Sequence, residues 1–141
     1  MDEKYEISFV EKPEDSAWGI IGNGLDDFNK QQVGEYNFQR ICFVVQDAQG
    51  TVAGGVLGEI WWNWLNISLL WVKEDLRGKG YGQRLLAAAE EEARKRGVKN
   101  AFLDTFSFQA PKFYEKCGYQ VCGEIKGFPA GHSRFYLSKA L

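Results

Sequence analysis

A run of glycines and cations joins an apolar segment to an amphipathic one in the middle of the chain. The apolar segment ISLLWV occupies residues 67–72, and RGKGYG follows it at residues 77–82. Glycines let a backbone approach a bulky anion, and the unpaired amides and dipole of a helix's first turn attract negative charge. Arg77 and Lys79 add two cations. The run therefore indicates an anion-binding loop at the start of a helix, with a plain glycine-rich turn as the alternative.

Two nucleotide-binding motifs can be compared with this run. A Walker loop requires Ser or Thr directly after its lysine, but here Gly80 follows Lys79. The dinucleotide fingerprint requires a third glycine at the position that Leu85 occupies. Neither motif fits, so the class of P-loop or dinucleotide-binding proteins is disfavoured.

A second segment, APKFYEKCGY at residues 110–119, places a proline near the start of a predicted helix and a glycine just past its end. Together the two segments resemble the signatures of the GNAT superfamily of N-acetyltransferases. Arg77, Gly80 and Gly82 occupy the fixed positions of the pattern R/Q-x-x-G-x-G/A, and the second segment is similar to A-x-x-[LF]-Y-x-K-x-G-[FY]. The resemblance covers residues 51–119, and the two ends match only by the order of their elements.

The resemblance implies a bacterial-type single domain that uses acetyl-coenzyme A. In that family the loop amides bind the pyrophosphate, an apolar strand lies along the pantetheine arm, and an amide near Leu70 polarises the thioester carbonyl. Tyr114 matches the frequent general acid that protonates the departing thiolate, although a core tyrosine is the alternative. The implied coenzyme-binding residues are Leu70, Trp71, Val72, Arg77, Gly78, Lys79, Gly80, Tyr81, Gly82 and Ser107.

One position departs from the family pattern. Seven residues before Tyr114, where many relatives have asparagine, this chain has Ser107. A serine hydroxyl can replace only part of the hydrogen bonding of a side-chain amide. The coenzyme contact that asparagine makes there is therefore not carried over in full.

A general base is harder to assign from the residues. An amine arrives mostly protonated, so a side chain or a water molecule must take its proton before attack. Glu59, Asp104 and the single histidine, His132, are the candidates, and we rank Asp104 and Glu59 above His132. Each of the three is more often a solvated or structural group than a base.

Four tryptophans lie close together in the sequence, before and within the apolar segment. Aromatic rings can stack on a cationic or planar acceptor, but they more often pack in a core or in a dimer interface. Both interpretations stay open, and so does a homodimer. The four residues are Trp61, Trp62, Trp64 and Trp71.

The elements that must position these residues form a strand meander followed by alternating helices and strands. Hydrophobic patterns predict strands near residues 5–10, 40–45, 51–62, 67–72, 101–105, 119–124 and 134–138. Helices are predicted at residues 17–29, 80–96 and 110–117. This order indicates an α/β or α+β fold. The resemblance implies a GNAT-like mixed, mostly antiparallel sheet with a splayed central strand pair and flanking helices.

Four local expectations accompany these elements. Gly22 and Gly24 should interrupt the first helix, and the strand at residues 67–72 should be buried on both faces because it is almost wholly apolar. Glycines at 54, 55 and 58 should mark a bulge or a close approach of another chain segment to the strand that contains them. On the second helix, three favourable pairs at i,i+4 are expected: Glu90–Arg94, Glu91–Lys95 and Glu92–Arg96.

Composition bounds the class of protein. The chain has 141 residues, enough for one domain over residues 1–141, and a net charge of −2 offers no basic field for a nucleic acid or an anionic membrane. No apolar run approaches the ~20 residues that span a bilayer. Three cysteines without a C-x-x-C pair suggest neither a disulfide framework nor a metal site. We therefore expect a cytoplasmic protein, and we expect it to bind no metal.

The sequence thus predicts an acetyl-coenzyme A-dependent N-acetyltransferase that passes the acetyl group directly to a primary amine. No cysteine lies in a recognisable nucleophile setting, so no covalent enzyme intermediate is expected. The main alternative is a non-catalytic module that binds or senses acyl-coenzyme A. Small molecules and peptide or protein amines all stay open as acceptors, because the acceptor pocket is built from the variable parts of a fold.

Overall fold

The computed structural model describes residues 4–141 of the chain. The chain divides into two compact units, the first ending at Tyr36 and the second comprising Asn37–Leu141. Between residues 4 and 141 no helix is both long enough and apolar enough to cross a membrane.

The first unit contains one long helix, α1 (Trp18–Val33), after a 3₁₀ turn at Pro13–Asp15. The expected interruption at Gly22 and Gly24 is wrong, because α1 runs through both. A glycine costs a helix only about 1 kcal/mol, whereas a proline costs about 3. The expected strand at residues 5–10 is also wrong, since these residues have no regular structure. A strand without a hydrogen-bonded neighbour is not stable by itself.

The second unit is built on a mixed sheet. Within the described residues its strands are β1 (Gln39–Gln46), β2 (Val52–Trp61), β3 (Trp64–Val72), β4 (Asn100–Phe106), β5 (Gln120–Lys126) and β6 (Ser133–Ala140). They lie in the order β1-β2-β3-β4-β6-β5, and every neighbouring pair is antiparallel except β3–β4. The mostly antiparallel α/β architecture expected from the resemblance is confirmed.

The central pair β3–β4 opens partway along its length. Its parallel register begins at Trp64 opposite Asn100 and ends at Ile67 opposite Leu103. Beyond this point the last five residues of β3 no longer pair with the last three of β4. On their outer edges β3 stays paired with β2, and β4 stays paired with β6. The splayed strand pair is therefore present, and it leaves one backbone edge of β3 without a strand partner.

Glycines in β2 let the hairpin strands approach closely. A Cβ atom added at Gly54 would lie 2.9 Å from the carbonyl oxygen of Trp71, and one at Gly55 would lie 2.9 Å from that of Phe43. The register of β2 against β3 also shifts between Leu57 and Gly58. The expected bulge and the expected close approach are both found, and at Gly54 and Gly55 only a residue without a side chain fits beside the neighbouring backbone.

Two helices complete the second unit, α2 (Tyr81–Lys95) and the short α3 (Pro111–Lys116). The apolar face of α2 packs on β1, β2 and β3. Burial of these side chains is what holds the helix on the sheet. The most deeply buried core residues are Val56, Leu65, Leu86, Ala89, Ala93, Ala101, Leu103 and Leu137.

Charges on α2 pair differently from the expectation. Of the three expected pairs only Glu92–Arg96 forms, with Oε2 and Nε 2.9 Å apart. Arg94 instead lies 3.4 Å from Glu91, and Glu90 is only 4% exposed. The other two expected pairs are therefore wrong. Glu90 faces inward because it lies on the same face of α2 as the buried leucines and alanines.

Burial along β3 also differs from the expectation. Leu65 and Ile67 are buried, but Leu69 is 63% exposed and Trp71 is 54% exposed. Burial on both faces is therefore wrong for the second half of the strand. The apolar run continues beyond the point where β4 separates from β3, so its side chains there border an open space rather than a packed layer.

Candidate active site

A cavity of about 720 Å³ lies where β3 and β4 separate. Its walls come from the ends of those two strands, the loop before α2, the first turn of α2 and the start of α3. Most residues that the sequence assigned to a site line this cavity. They are Leu70, Trp71, Val72, Arg77, Gly78, Gly80, Tyr81, Gly82, Asp104 and Tyr114.

The end of β3 presents its backbone to the cavity. On its other edge Leu70, Trp71 and Val72 pair with β2, so one row of their peptide groups is satisfied within the sheet. The row on the opposite edge, where β4 has diverged from β3, has no strand partner in the described part of the chain. Exposed peptide groups of this kind bind an extended, amide-containing ligand as a neighbouring strand would be bound.

Arg77 ties the loop to the end of β3. Its Nε donates a 2.9 Å hydrogen bond to the carbonyl oxygen of Val72. This contact fixes the point at which the chain leaves the strand and turns toward α2. The guanidinium retains further N–H donors, because this bond uses one of the five.

Two glycines of the loop have backbone angles that favour glycine. The φ angle is +74° at Gly78 and +86° at Gly80, and a side chain in this left-handed region costs about 1–2 kcal/mol. A Cβ atom at Gly82 would lie 3.4 Å from Cζ of Phe113, which is about an ordinary van der Waals contact. The turn therefore depends on glycine at positions 78 and 80.

The N-terminus of α2 is open toward the cavity. Gly80 is its N-cap and supplies no side-chain cap, so the amides of the first turn keep their hydrogen-bonding capacity. Tyr81 and Gly82 both line the cavity. Free amides together with the positive end of the helix dipole favour a phosphate or another anion at this place.

Tyr114 forms part of the cavity wall from α3 and is only 9% exposed. Burial raises the pKa of its hydroxyl to about 12, with smaller contributions from the nearby Cys117 and Asp104. The rings of Phe113 and Tyr119 meet its ring edge to face, with centroids 5.2 Å and 6.1 Å away. Tyr114 is therefore a fixed, protonated phenol, which is the state a general acid requires.

Asp104 lines the cavity from the end of β4 and pairs with Arg134 on β6. Its Oδ1 accepts a 3.0 Å hydrogen bond from Nε of Arg134, and Nη2 of the same guanidinium lies 2.9 Å from this oxygen. The guanidinium lies 5.3–5.5 Å from the ring centroids of Phe106, Phe128 and Tyr136. Both contacts are made by Oδ1, one of the two carboxylate oxygens.

The structure places the other assigned residues away from the cavity lining. Glu59 lies on β2 between Arg40 and Asn66 of the neighbouring strands. Lys79 is exposed in the loop. Neither residue lines the cavity.

Ser107 and His132 lie near each other rather than on the cavity wall. The Oγ of Ser107 accepts the backbone N–H of Ser133 at 3.0 Å and lies 3.3 Å from Nδ1 of His132. These contacts fasten the end of β4 to the start of β6.

The four tryptophans do not form one cluster. Trp71 lines the cavity, but Trp61 and Trp64 lie at the opposite end of β3, where each ring contacts Phe102 edge on. Trp62 occupies the turn between β2 and β3 with a φ angle of +46°. Only Trp71 is therefore placed to contact a ligand in the cavity.

Two features in and near the site are not predicted by the sequence. Gln109 lines the cavity, and its Oε1 accepts hydrogen bonds from the loop around it. Glu90 contacts both Lys139 and Tyr119 beneath the turn that follows α3. A signal for Gln109 existed, because its side-chain amide lies two residues past Ser107, which the resemblance assigned to the coenzyme. No local signal marked Glu90.

Comparison with known proteins agrees with this geometry. Residues 7–119 match the Acetyltransferase (GNAT) family. An acetyltransferase structure from Bacillus cereus superposes with a TM-score of 0.88 at 34% identity, covering 98% of this chain and 99% of that one. A blasticidin-S acetyltransferase from Streptomyces morookaense is 42% identical over 94 residues, which is 66% of this chain and 69% of that protein.

A third relative was solved with a ligand. This structure, from Bacillus anthracis in complex with acetyl coenzyme A, superposes with a TM-score of 0.64 at 25% identity, covering 72% of this chain and 62% of that one. The family match covers well over half of the chain, and the fold and the loop signature agree with it. The chain belongs to the acetyltransferase (GNAT) family and is an acyltransferase.

Proposed function

We propose that this protein transfers the acetyl group of acetyl-coenzyme A directly to a primary amine. The observation that carries the proposal is the cavity between the splayed ends of β3 and β4, with the open N-terminus of α2 at one side and the buried phenol of Tyr114 in its wall. An anion site, a row of free peptide groups and a proton donor thus border one space.

The residues of the cavity fit acetyl-coenzyme A. The glycine turn at Gly78 and Gly80 and the first-turn amides of α2 would hold the pyrophosphate, and Arg77 would add charge beside it. The free edge of β3 from Leu70 to Val72 would bind the amide-containing arm. The coenzyme supplies an activated acetyl thioester when bound, and the related Bacillus anthracis structure holds this ligand.

The side chains then have the following tasks. The amide near Leu70 would donate to the thioester oxygen and stabilise the negative charge that grows there during attack. As the amine nitrogen bonds to the acetyl carbon and the carbon–sulfur bond breaks, Tyr114 would give its phenolic proton to the departing sulfur and regain one from solvent. The amine loses a proton to water or to a carboxylate, for which Asp104 is the candidate on the cavity wall.

Support for the acceptor comes from a relative. The Streptomyces protein is named for acetylation of blasticidin S, which makes that compound the first acceptor to test. The exposed ring of Phe108 lines the cavity and offers a face for a planar or cationic amine. We propose the cytoplasm as the site of action, since Cys42, Cys117 and Cys122 are all free.

The test is a thiol-release assay with purified protein, acetyl-coenzyme A and a panel of amines. The panel contains blasticidin S, polyamines, amino acids and a peptide with a free N-terminus and a lysine. We expect acceptor-dependent release of coenzyme A, with the acetylated amine identified by mass spectrometry. Coenzyme binding without release for any acceptor would favour the non-catalytic module, and absence of binding would refute the proposal altogether.

A further inference from the structure

The side chain of Ser107, which the family resemblance assigned to the coenzyme, is held by contacts within the protein. Its hydroxyl accepts the backbone N–H of Ser133 at 3.0 Å and faces His132 Nδ1 at 3.3 Å. It is also absent from the lining of the cavity. The wall of the cavity opposite β3 therefore needs another polar side chain if the arm of the coenzyme is to be held from both sides.

Gln109 is placed on that wall with its amide oriented. Its Oε1 accepts the backbone N–H of Phe106 at 2.9 Å and the hydroxyl of Thr105 at 3.2 Å. The N–H of Phe106 can only donate, so the oxygen of the Gln109 amide must face the end of β4. Thr105 is 3% exposed and gives this anchor a rigid support.

Anchoring of the oxygen leaves the nitrogen as the free part of the amide. The Nε2 of Gln109 has no protein acceptor among the described residues, and the residue itself lines the cavity beside Ala110 and Phe108. An amide held this way presents two N–H donors and no acceptor to a ligand. Its complement is a carbonyl oxygen.

We infer that Gln109 binds a carbonyl oxygen of the pantetheine arm through Nε2 and so replaces the contact that Ser107 does not make. The arm carries amide carbonyls along its length, and one edge of it would pair with the free peptide groups of β3. Gln109 would then satisfy the opposite edge. The inference rests on the proposed use of acetyl-coenzyme A.

The test replaces the donor while it keeps the anchor. In Gln109→Glu a carboxylate oxygen still accepts from Phe106 and Thr105, but the two N–H donors are gone. A neutral hydrogen bond contributes a modest net free energy, so we expect the dissociation constant of acetyl-coenzyme A, measured by calorimetry, to rise about three- to tenfold. Ser107→Ala should change it by less than about twofold. Melting curves without ligand check that both variants are folded.

The negative charge that Gln109→Glu adds needs its own control, and S-acetylpantetheine provides it because this fragment lacks the phosphates. If a hydrogen bond to the arm is lost, the affinity for this fragment should fall by the same factor as the affinity for the whole coenzyme. Ligand-observed NMR measures the binding of the fragment. A loss confined to the phosphate-bearing ligand, or a larger loss in Ser107→Ala than in Gln109→Glu, would overturn the inference. If the unmodified protein binds neither ligand, the proposed function fails as well.

Discussion

The ammonium group of Lys139 lies 2.9 Å from Oε1 of Glu90 and joins the helix α2 to the strand β6. The other carboxylate oxygen of Glu90 accepts the hydroxyl of Tyr119 at 2.8 Å, and Lys139 also donates to the backbone oxygen of Cys117 at 2.8 Å. These contacts hold the turn between α3 and β5. The ring of Tyr119 in turn packs against that of Tyr114, so the buried pair supports the wall of the cavity.

The first prediction concerns this buried pair. Glu90→Gln leaves the Lys139 ammonium without its counter-charge in a largely buried position, and breaking such a pair from one side costs roughly 3 kcal/mol. Glu91→Gln is the matched control, because the neighbouring Glu91 has an exposed side chain and its pair with Arg94 spans 3.4 Å; the change there should stay within about 0.5 kcal/mol. Urea unfolding measures the free energy of unfolding of both variants. Equal losses of stability in Glu90→Gln and Glu91→Gln would contradict a stabilising role for the buried pair.

The second prediction concerns the glycine turn. Gly80→Asp should abolish acetyl-coenzyme A binding, because a carboxylate at the open start of α2 repels the pyrophosphate and occupies its place. Gly97→Asp is the control, since Gly97 has a similar φ of +80° but follows the other end of the helix. Both variants should lose comparable stability, while only Gly80→Asp should lose the ligand-induced rise in melting temperature. Unchanged coenzyme affinity in a folded Gly80→Asp protein would refute the proposed loop.

The third prediction assigns Tyr114 to the chemical step. Tyr114→Phe keeps the ring and its edge contacts but removes the hydroxyl, so kcat should fall by about 10²–10⁴-fold with coenzyme affinity within a few-fold. A thiolate is a tolerable leaving group, which favours the low end of that range. Tyr119→Phe should instead lower stability, because it removes the buried bond to Glu90. An unchanged kcat with chemistry rate-limiting would make Tyr114 a packing residue.

The fourth prediction separates the two carboxylates ranked as bases. Asp104 lines the cavity and lies close enough to Tyr114 to affect its pKa, whereas Glu59 is outside the lining. Asp104→Asn should therefore lower kcat about tenfold or more, and Glu59→Gln by less than about twofold. Melting curves are needed because Asp104→Asn also weakens the pair with Arg134. A larger loss of kcat in Glu59→Gln than in Asp104→Asn would indicate that Glu59 on β2 is the base.

The fifth prediction concerns stability in alkali. The folded-state pKa of Tyr114 is about 12, above the ordinary tyrosine value of 10.0, so the unfolded chain releases the phenolic proton first. Stability from this group is complete below pH about 10 and declines as the pH rises toward about 12. Urea unfolding at pH about 9 and about 11 should show a larger decline for the wild type than for Tyr114→Phe. Parallel declines would contradict the raised pKa.

Much of the site follows from short stretches of sequence. The turn that contains Gly78 and Gly80 requires positive φ angles that favour glycine, and the helix after it has an apolar face. A few consecutive residues were therefore enough to predict the anion-binding loop. The short helix that carries Tyr114 was predicted in the same way. Its proline and glycine bound a short helix whose ends depend only on backbone geometry.

Other features depended on residues far apart in the chain. Glu90 looked like one more surface charge until β6 brought Lys139, 49 positions away, to its carboxylate. The helical period shows which face a residue occupies but not which charge lies across from it. The roles of Ser107 and Gln109 were likewise decided by the contact of Ser107 with Ser133 of β6, 26 positions later. A local pattern determines φ angles and faces, whereas hydrogen-bond partners across a sheet are determined by the order in which its strands assemble.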